Sequence, residues 1–126
     1  MHLTKAEEQI MQILWSLNEG TVQDILQGFI GNKPARTTIA TVLNILENKN
    51  FVGHRSEGRS NIYQPLVTKE DYSKNQLSGF IKNYFDGSFS SMVSFFAREN
   101  NLSIEQMDTL LKDTRAALAE NAKETK

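Results

Sequence analysis

The sequence predicts a mainly α-helical protein with one small β-hairpin, and three observations carry that prediction. First, Arg36 to Leu46 places Ile39, Val42, Leu43 and Leu46 on one face at about 100° per residue. Second, two short β-type runs, Phe51–Ser56 and Asn61–Pro65, flank Glu57-Gly58-Arg59-Ser60, a turn signal centred on glycine. Third, helical spacing resumes after Pro65, with aromatic side chains in unusual number for so short a segment.

The elements follow in order. Thr4 with Glu7 three residues on reads as a capping box opening a first helix. Ala6, Ile10, Ile13, Leu14 and Leu17 give it an apolar stripe, and Trp15 adds bulk. Gly20 stops it. Thr21 caps a second helix with Asp24 in its first turn, and Val22, Ile25, Leu26 and Phe29 form its inner side. Gly31-Asn32-Lys33-Pro34 turns the chain into the third helix. Helix, helix, turn, helix and hairpin is the order of a winged helix-turn-helix. Residues 1–67 are read as that domain.

The third helix is unusual on its outer side. Thr37, Thr41, Asn44 and Asn48 occupy the face opposite the apolar one, where a surface helix ordinarily carries Glu and Lys. Short side chains that both donate and accept hydrogen bonds suit a helix lying in the major groove of DNA. A plain amphipathic helix with a Thr-rich surface has the same pattern, so the hairpin shifts the balance. Its arm and tip carry Arg55 and Arg59, cations that reach phosphates beside a recognition helix. The expected DNA-binding set is Lys33, Arg36, Thr37, Thr38, Thr41, Asn44, Arg55 and Arg59. Arg36, Thr37, Thr41 and Asn44 face the groove, Asn44 pairing with adenine and a Thr methyl meeting that of thymine. Thr38 and Lys33 can hold phosphates near the helix start, with plain solvent exposure the favoured alternative for Lys33. His54 is read as packing or hydrogen bonding.

Charge supports the same surface. The chain of 126 residues has a net charge of −1. From Lys33 to Tyr63, five cations (Lys33, Arg36, Lys49, Arg55, Arg59) face two anions (Glu47, Glu57), a local +3 that leaves −4 for the rest. One copy with so modest a charge binds weakly, and its affinity falls with salt. Hydrophobic residues at 39% and charged residues at 23% fit a soluble globular protein. With no Cys, disulfides and thiolate metal sites are excluded, and the composition is compatible with the cytoplasm. The two His lie far apart, so no metal or other cofactor is expected. No apolar run approaches a membrane span, so no insertion is expected. No nucleophile–base set, paired carboxylates or complete phosphate loop stands at a usable spacing, which argues against an enzyme and leaves no catalytic residue to name.

Residues 68–126 read as three helices. The first starts at Thr68 and runs to about Phe85. The second holds Phe89 to Phe96, and the third opens at Ser103 with Gln106. The tail from Glu120 is polar and expected to fray. A segment this short has difficulty enclosing its apolar side chains alone. Pairing with a second copy resolves that, and folding back on the first domain is the alternative. The interface candidates are Phe80, Tyr84, Phe89, Met92, Val93, Phe95, Phe96, Met107, Leu110 and Leu111, each also able to serve as internal core.

The chain resembles the BlaI/MecI/CopY family of penicillinase and methicillin-resistance repressors. Leu3-Thr4-Lys5-Ala6-Glu7 with Ile10-Met11 and Leu14-Trp15 is similar to that family's opening helix. Thr38-Ile39-Ala40-Thr41-Val42-Leu43 with Leu46 and Phe51 is similar to its recognition helix. His54 to Arg59 with Tyr63-Gln64-Pro65 matches its wing. Ser88 to Val93 and Leu102 to Glu105 match its dimerisation region. The resemblance implies a homodimeric repressor on palindromic operators in double-stranded DNA. In the β-lactam branch it also implies a membrane sensor-protease as partner, which releases DNA by cutting the dimerisation helices. There the cut bond joins Asn to Phe. The corresponding bond here is Phe95–Phe96, a candidate by position alone because the Asn is missing. The copper branch's Cys-rich tail has no counterpart. Ala40 also stands where a longer polar residue is common, and the long basic residue common near Thr37 is absent, so the operator need not match known ones. A winged-helix protein-interaction adaptor and a small-molecule-sensing regulator are the alternative functions.

Overall fold

A computed structural model describes residues 2–124, with side chains to residue 121. The order is α1 (Lys5–Leu17), α2 (Val22–Gln27), α3 (Arg36–Asn48), β1 (Val52–Glu57), β2 (Ser60–Pro65), α4 (Lys69–Phe85), α5 (Phe89–Glu99) and α6 (Ile104–Glu124). This is the mainly helical, winged-helix architecture the sequence predicts. Two compact units divide between Gln76 and Leu77.

Local chemistry starts the first two helices. At α1 the Glu7 amide donates to Thr4 Oγ1 (3.2 Å) and the Thr4 amide to Glu7 Oε1 (2.7 Å). At α2 Thr21 and Asp24 repeat the arrangement. Each box satisfies amides that the helix itself leaves unpaired. Gly28 ends α2 against α1, where a Cβ would lie 2.5 Å from Ile13 Cγ2. The hairpin turns on Gly58-Arg59, between the paired Glu57 and Ser60. Gly58 has φ +60°, as the first central residue of a tight hairpin turn requires. Tyr63 on β2 exchanges both backbone hydrogen bonds with Gly20 (2.9 and 2.8 Å), so the wing is stitched to the α1–α2 turn.

Ile10, Met11, Leu14, Ile25, Ile39, Leu43, Leu46, Phe51, Val52, Tyr63 and Tyr72 form the core of the first unit. The stripe on α1 differs from the expected one. Met11 is fully buried, Leu17 is 41% exposed and Ala6 is exposed. The buried line runs 7, 10, 11, 14, so Ala6 and Leu17 fall at its edges. Tyr72 carries the unit past residue 67. Its ring lies 5.6 Å from Trp15 and 6.0 Å from Phe51, so the first turns of α4 complete this core. The Trp15 indole N–H donates to Val67 O at 2.8 Å.

In the second unit, Ser88 caps α5, and Ser103 and Gln106 form a reciprocal pair at the start of α6. Phe80, Phe85 and Phe95 form a chain of ring contacts at 5.8 and 5.6 Å. Among the described residues, none after Tyr72 is buried. Helix α6 runs through Glu124, into the tail expected to fray from Glu120, and Ala116, Ala117, Leu118 and Ala119 are strong helix formers leading into it. The end of that expected tail, residues 125 and 126, lies outside the described residues. Among the described residues no helix is long and apolar enough to cross a membrane.

Candidate nucleic-acid interface

Helix α3 presents the outer face its sequence pattern implies. Ile39, Leu43 and Leu46 are fully buried, while Arg36, Thr37, Thr38, Ala40, Thr41, Asn44 and Asn48 are exposed. Ile45, 42% exposed, joins the flank of that face and was absent from the expected set. The Thr41 hydroxyl donates to Thr37 O (2.9 Å), which turns the oxygen back on the helix and leaves the methyl as the outward group.

The start of α3 differs from the start of every other helix. Side-chain oxygens of Thr4, Thr21, Thr68, Ser88 and Ser103 accept from first-turn amides of α1, α2, α4, α5 and α6. Ala35 stands in that place on α3 and offers no side-chain cap. Its first-turn N–H groups and positive dipole end are therefore open to an anion. The signal in the sequence is an absence, Lys33-Pro34-Ala35 where a Ser, Thr, Asp or Asn is usual.

Arg36 and Arg59 line one open groove of about 350 Å³, with Thr21, Gln23, Ser60 and Asn61. Two guanidinium groups and several neutral donors around one trough are suited to a phosphodiester backbone. Gln23, Ser60 and Asn61 were not singled out by sequence, since only the fold brings the α2 start to the wing. Lys33 and Thr38 line a separate groove of about 320 Å³, on the α1 side of α3.

The local charge of +3 is not all available. The Lys49 ammonium sits on the Glu7 carboxylate at 2.8 and 3.0 Å. Glu7 is only 3% exposed. Burial pushes its carboxyl up, but Lys49 together with the Thr4 amide and hydroxyl holds it below the ordinary carboxylate range. Arg55 is bidentate to Glu19 (3.0 and 2.7 Å), and its Nε also donates to Glu57 (3.3 Å). That pairing lowers the Glu19 carboxyl and raises the Arg55 guanidinium. His54 Nδ1 lies 2.6 Å from Glu47 Oε1, and its ring packs 5.3 Å from Tyr63. Among the described residues, Lys33, Arg36 and Arg59 are in no ion pair.

The chain matches the penicillinase repressor family model over residues 3–115. It is 26% identical to the penicillinase repressor of Bacillus licheniformis over 109 residues, covering 86% of this chain and 85% of that one. It is 25% identical to the methicillin resistance regulatory protein MecI of Staphylococcus aureus, with 86% and 89% covered. It is also similar to a solution structure of Bacillus licheniformis BlaI, described as the monomeric form in complex with the blaP half-operator. That likeness has 25% identity and a TM-score of 0.48, over 57% of this chain and 89% of that one. The chain belongs to the penicillinase repressor family of DNA-binding transcriptional repressors.

Proposed function

We propose that two copies of the chain bind a palindromic operator and block transcription, each laying α3 in the major groove with its wing on the adjoining backbone. The observation that carries this reading is the convergence at the start of α3. Arg36, in the uncapped first turn of that helix, and the wing-tip Arg59 line one groove. Arg36, Thr37, Thr41 and Asn44 then face base edges, and Lys33 and Thr38 hold a second stretch of backbone. Two such copies read half-sites about 34–36 Å apart, one helical turn.

Residues 68–126 supply the pairing in this reading, through Phe80, Tyr84, Phe89, Met92, Val93, Phe95, Phe96, Met107, Leu110 and Leu111. Met92, Val93 and Met107 are half-buried within one copy, and the other seven are exposed. Linking two weak modules makes the second binding event intramolecular, so loss of pairing releases DNA. A membrane sensor-protease fits as the source of that loss. Phe95–Phe96 lies inside α5, with side chains 47% and 60% exposed. Cleavage there requires α5 to open locally, which costs little where nothing is buried.

A mobility-shift titration against genomic fragments at two salt concentrations tests the reading. We expect a preferred fragment, with affinity dropping steeply as salt rises. Binding that ignores sequence throughout, or is absent at low salt, rejects it.

A further inference from the structure

The wing carries two arginines in very different surroundings. Arg59 sits at the turn, lines the groove shared with Arg36, and is in no ion pair among the described residues. Arg55, four residues earlier, has both terminal nitrogens on Glu19 and its Nε on Glu57. The trio Glu19–Arg55–Glu57 has a net charge of −1, so a phosphate approaching Arg55 meets two carboxylates with it. Glu19 also stands next to Gly20, which the Tyr63 backbone holds through two hydrogen bonds, so the backbone that carries the carboxylate is fixed beside the wing.

We propose that Glu19 is a positioning residue for DNA binding that withholds Arg55 from the phosphate backbone, leaving Arg59 as the wing's phosphate ligand. The inference rests on the DNA-binding reading above and goes beyond it. An arginine free to grip any backbone adds equally to every sequence and so dilutes discrimination. Occupying Arg55 with a carboxylate of the same chain lowers non-specific affinity and raises the ratio of specific to non-specific binding. Exposed ion pairs are individually weak. Here the fork is bidentate and a second carboxylate adds to it, and the same two anions repel the competing phosphate.

The slope of log affinity against log salt tests this, because each phosphate ligand contributes about 0.9 to it. All variants are measured as full-length protein on one operator-containing and one random duplex, with thermal melts to establish folding. Glu19→Gln is expected to steepen the slope by about 0.9, raise affinity for the random duplex roughly 3- to 10-fold, and lower the specificity ratio. Glu19→Asp is expected to restore the parental slope. The double variant Glu19→Gln/Arg55→Gln keeps the trio's net charge and is expected to keep the parental slope. Arg59→Ala is expected to flatten it by about 0.9. The inference is overturned if the double variant flattens the slope as Arg59→Ala does, if Glu19→Gln leaves it unchanged, or if Arg59→Ala does. A parent chain that binds neither duplex at low salt overturns the DNA reading itself and the inference with it. Parental binding with a failed slope pattern overturns the inference alone.

Discussion

Residues 1–76 and 77–126 both carry aromatic and branched side chains at helical spacing, yet they use them differently. In the first unit Phe51, Tyr63 and Tyr72 are at most 9% exposed and sit among fully buried aliphatics from three helices. In the second, Phe80, Phe89, Phe95 and Phe96 are 47–60% exposed, and among the described residues no side chain is buried. Helix patterning alone does not make a core. A wing and a third helix close the first unit, whereas three helices offering one apolar side each leave theirs open. The first unit is therefore expected to draw its stability from within, and the second from what it meets.

Substitutions sharpen or break that contrast. The largest effect is expected from Phe96→Asp, which changes an exposed residue of α5. It should split the proposed dimer and lower operator affinity about 10²- to 10⁴-fold while leaving the first unit's melting within about 0.5 kcal/mol. Sedimentation paired with a mobility shift reads both, and a variant that stays dimeric breaks the assignment. Leu43→Ala empties the fully buried centre of α3 and should destabilise the first unit by about 2–5 kcal/mol in urea unfolding. A loss below 1 kcal/mol would mean that this core is as loose as the second unit.

Glu7→Gln comes next, at about 1–2 kcal/mol, because the carboxylate holding Lys49 is almost fully buried. The Glu7 carboxyl is held below its ordinary range in the folded chain. Its contribution is therefore full above the ordinary carboxylate range and is lost as pH falls through the lowered value. The gap between parent and variant should close in acid, and a gap independent of pH excludes the ion pair as its cause. The smallest effect, about 1 kcal/mol, is expected from Gly58→Ala, which places a Cβ at φ +60°. Thermal melting reads it, and no change would place the wing outside the cooperative unit.

Features within one turn of chain were legible in the sequence. Thr4 with Glu7 and Thr21 with Asp24 announce their helices because donor and acceptor are three residues apart. Gly58 announces its turn because only the backbone decides it. Pairings across the fold were not legible. Glu7 lies 42 residues from Lys49, and Glu19 lies 36 residues from Arg55. A count of cations between Lys33 and Tyr63 therefore overstated the charge left for a ligand. The groove joining Arg36 to Arg59 was equally hidden, because the α2 start and the wing tip meet only once the hairpin is stitched to Gly20. The open second unit was foreshadowed by its composition, since its supply of apolar side chains exceeds what a short segment encloses.

Ala35 at the head of α3 has one more consequence. The amide hydrogen of Thr38 has no side-chain oxygen to shield it, so in the free protein it should trade with deuterated solvent faster than its counterparts, the capped amides of Glu7 in α1 and Asp24 in α2. Contact with an oxyanion would slow that trade, leaving a local mark of DNA at the head of one helix.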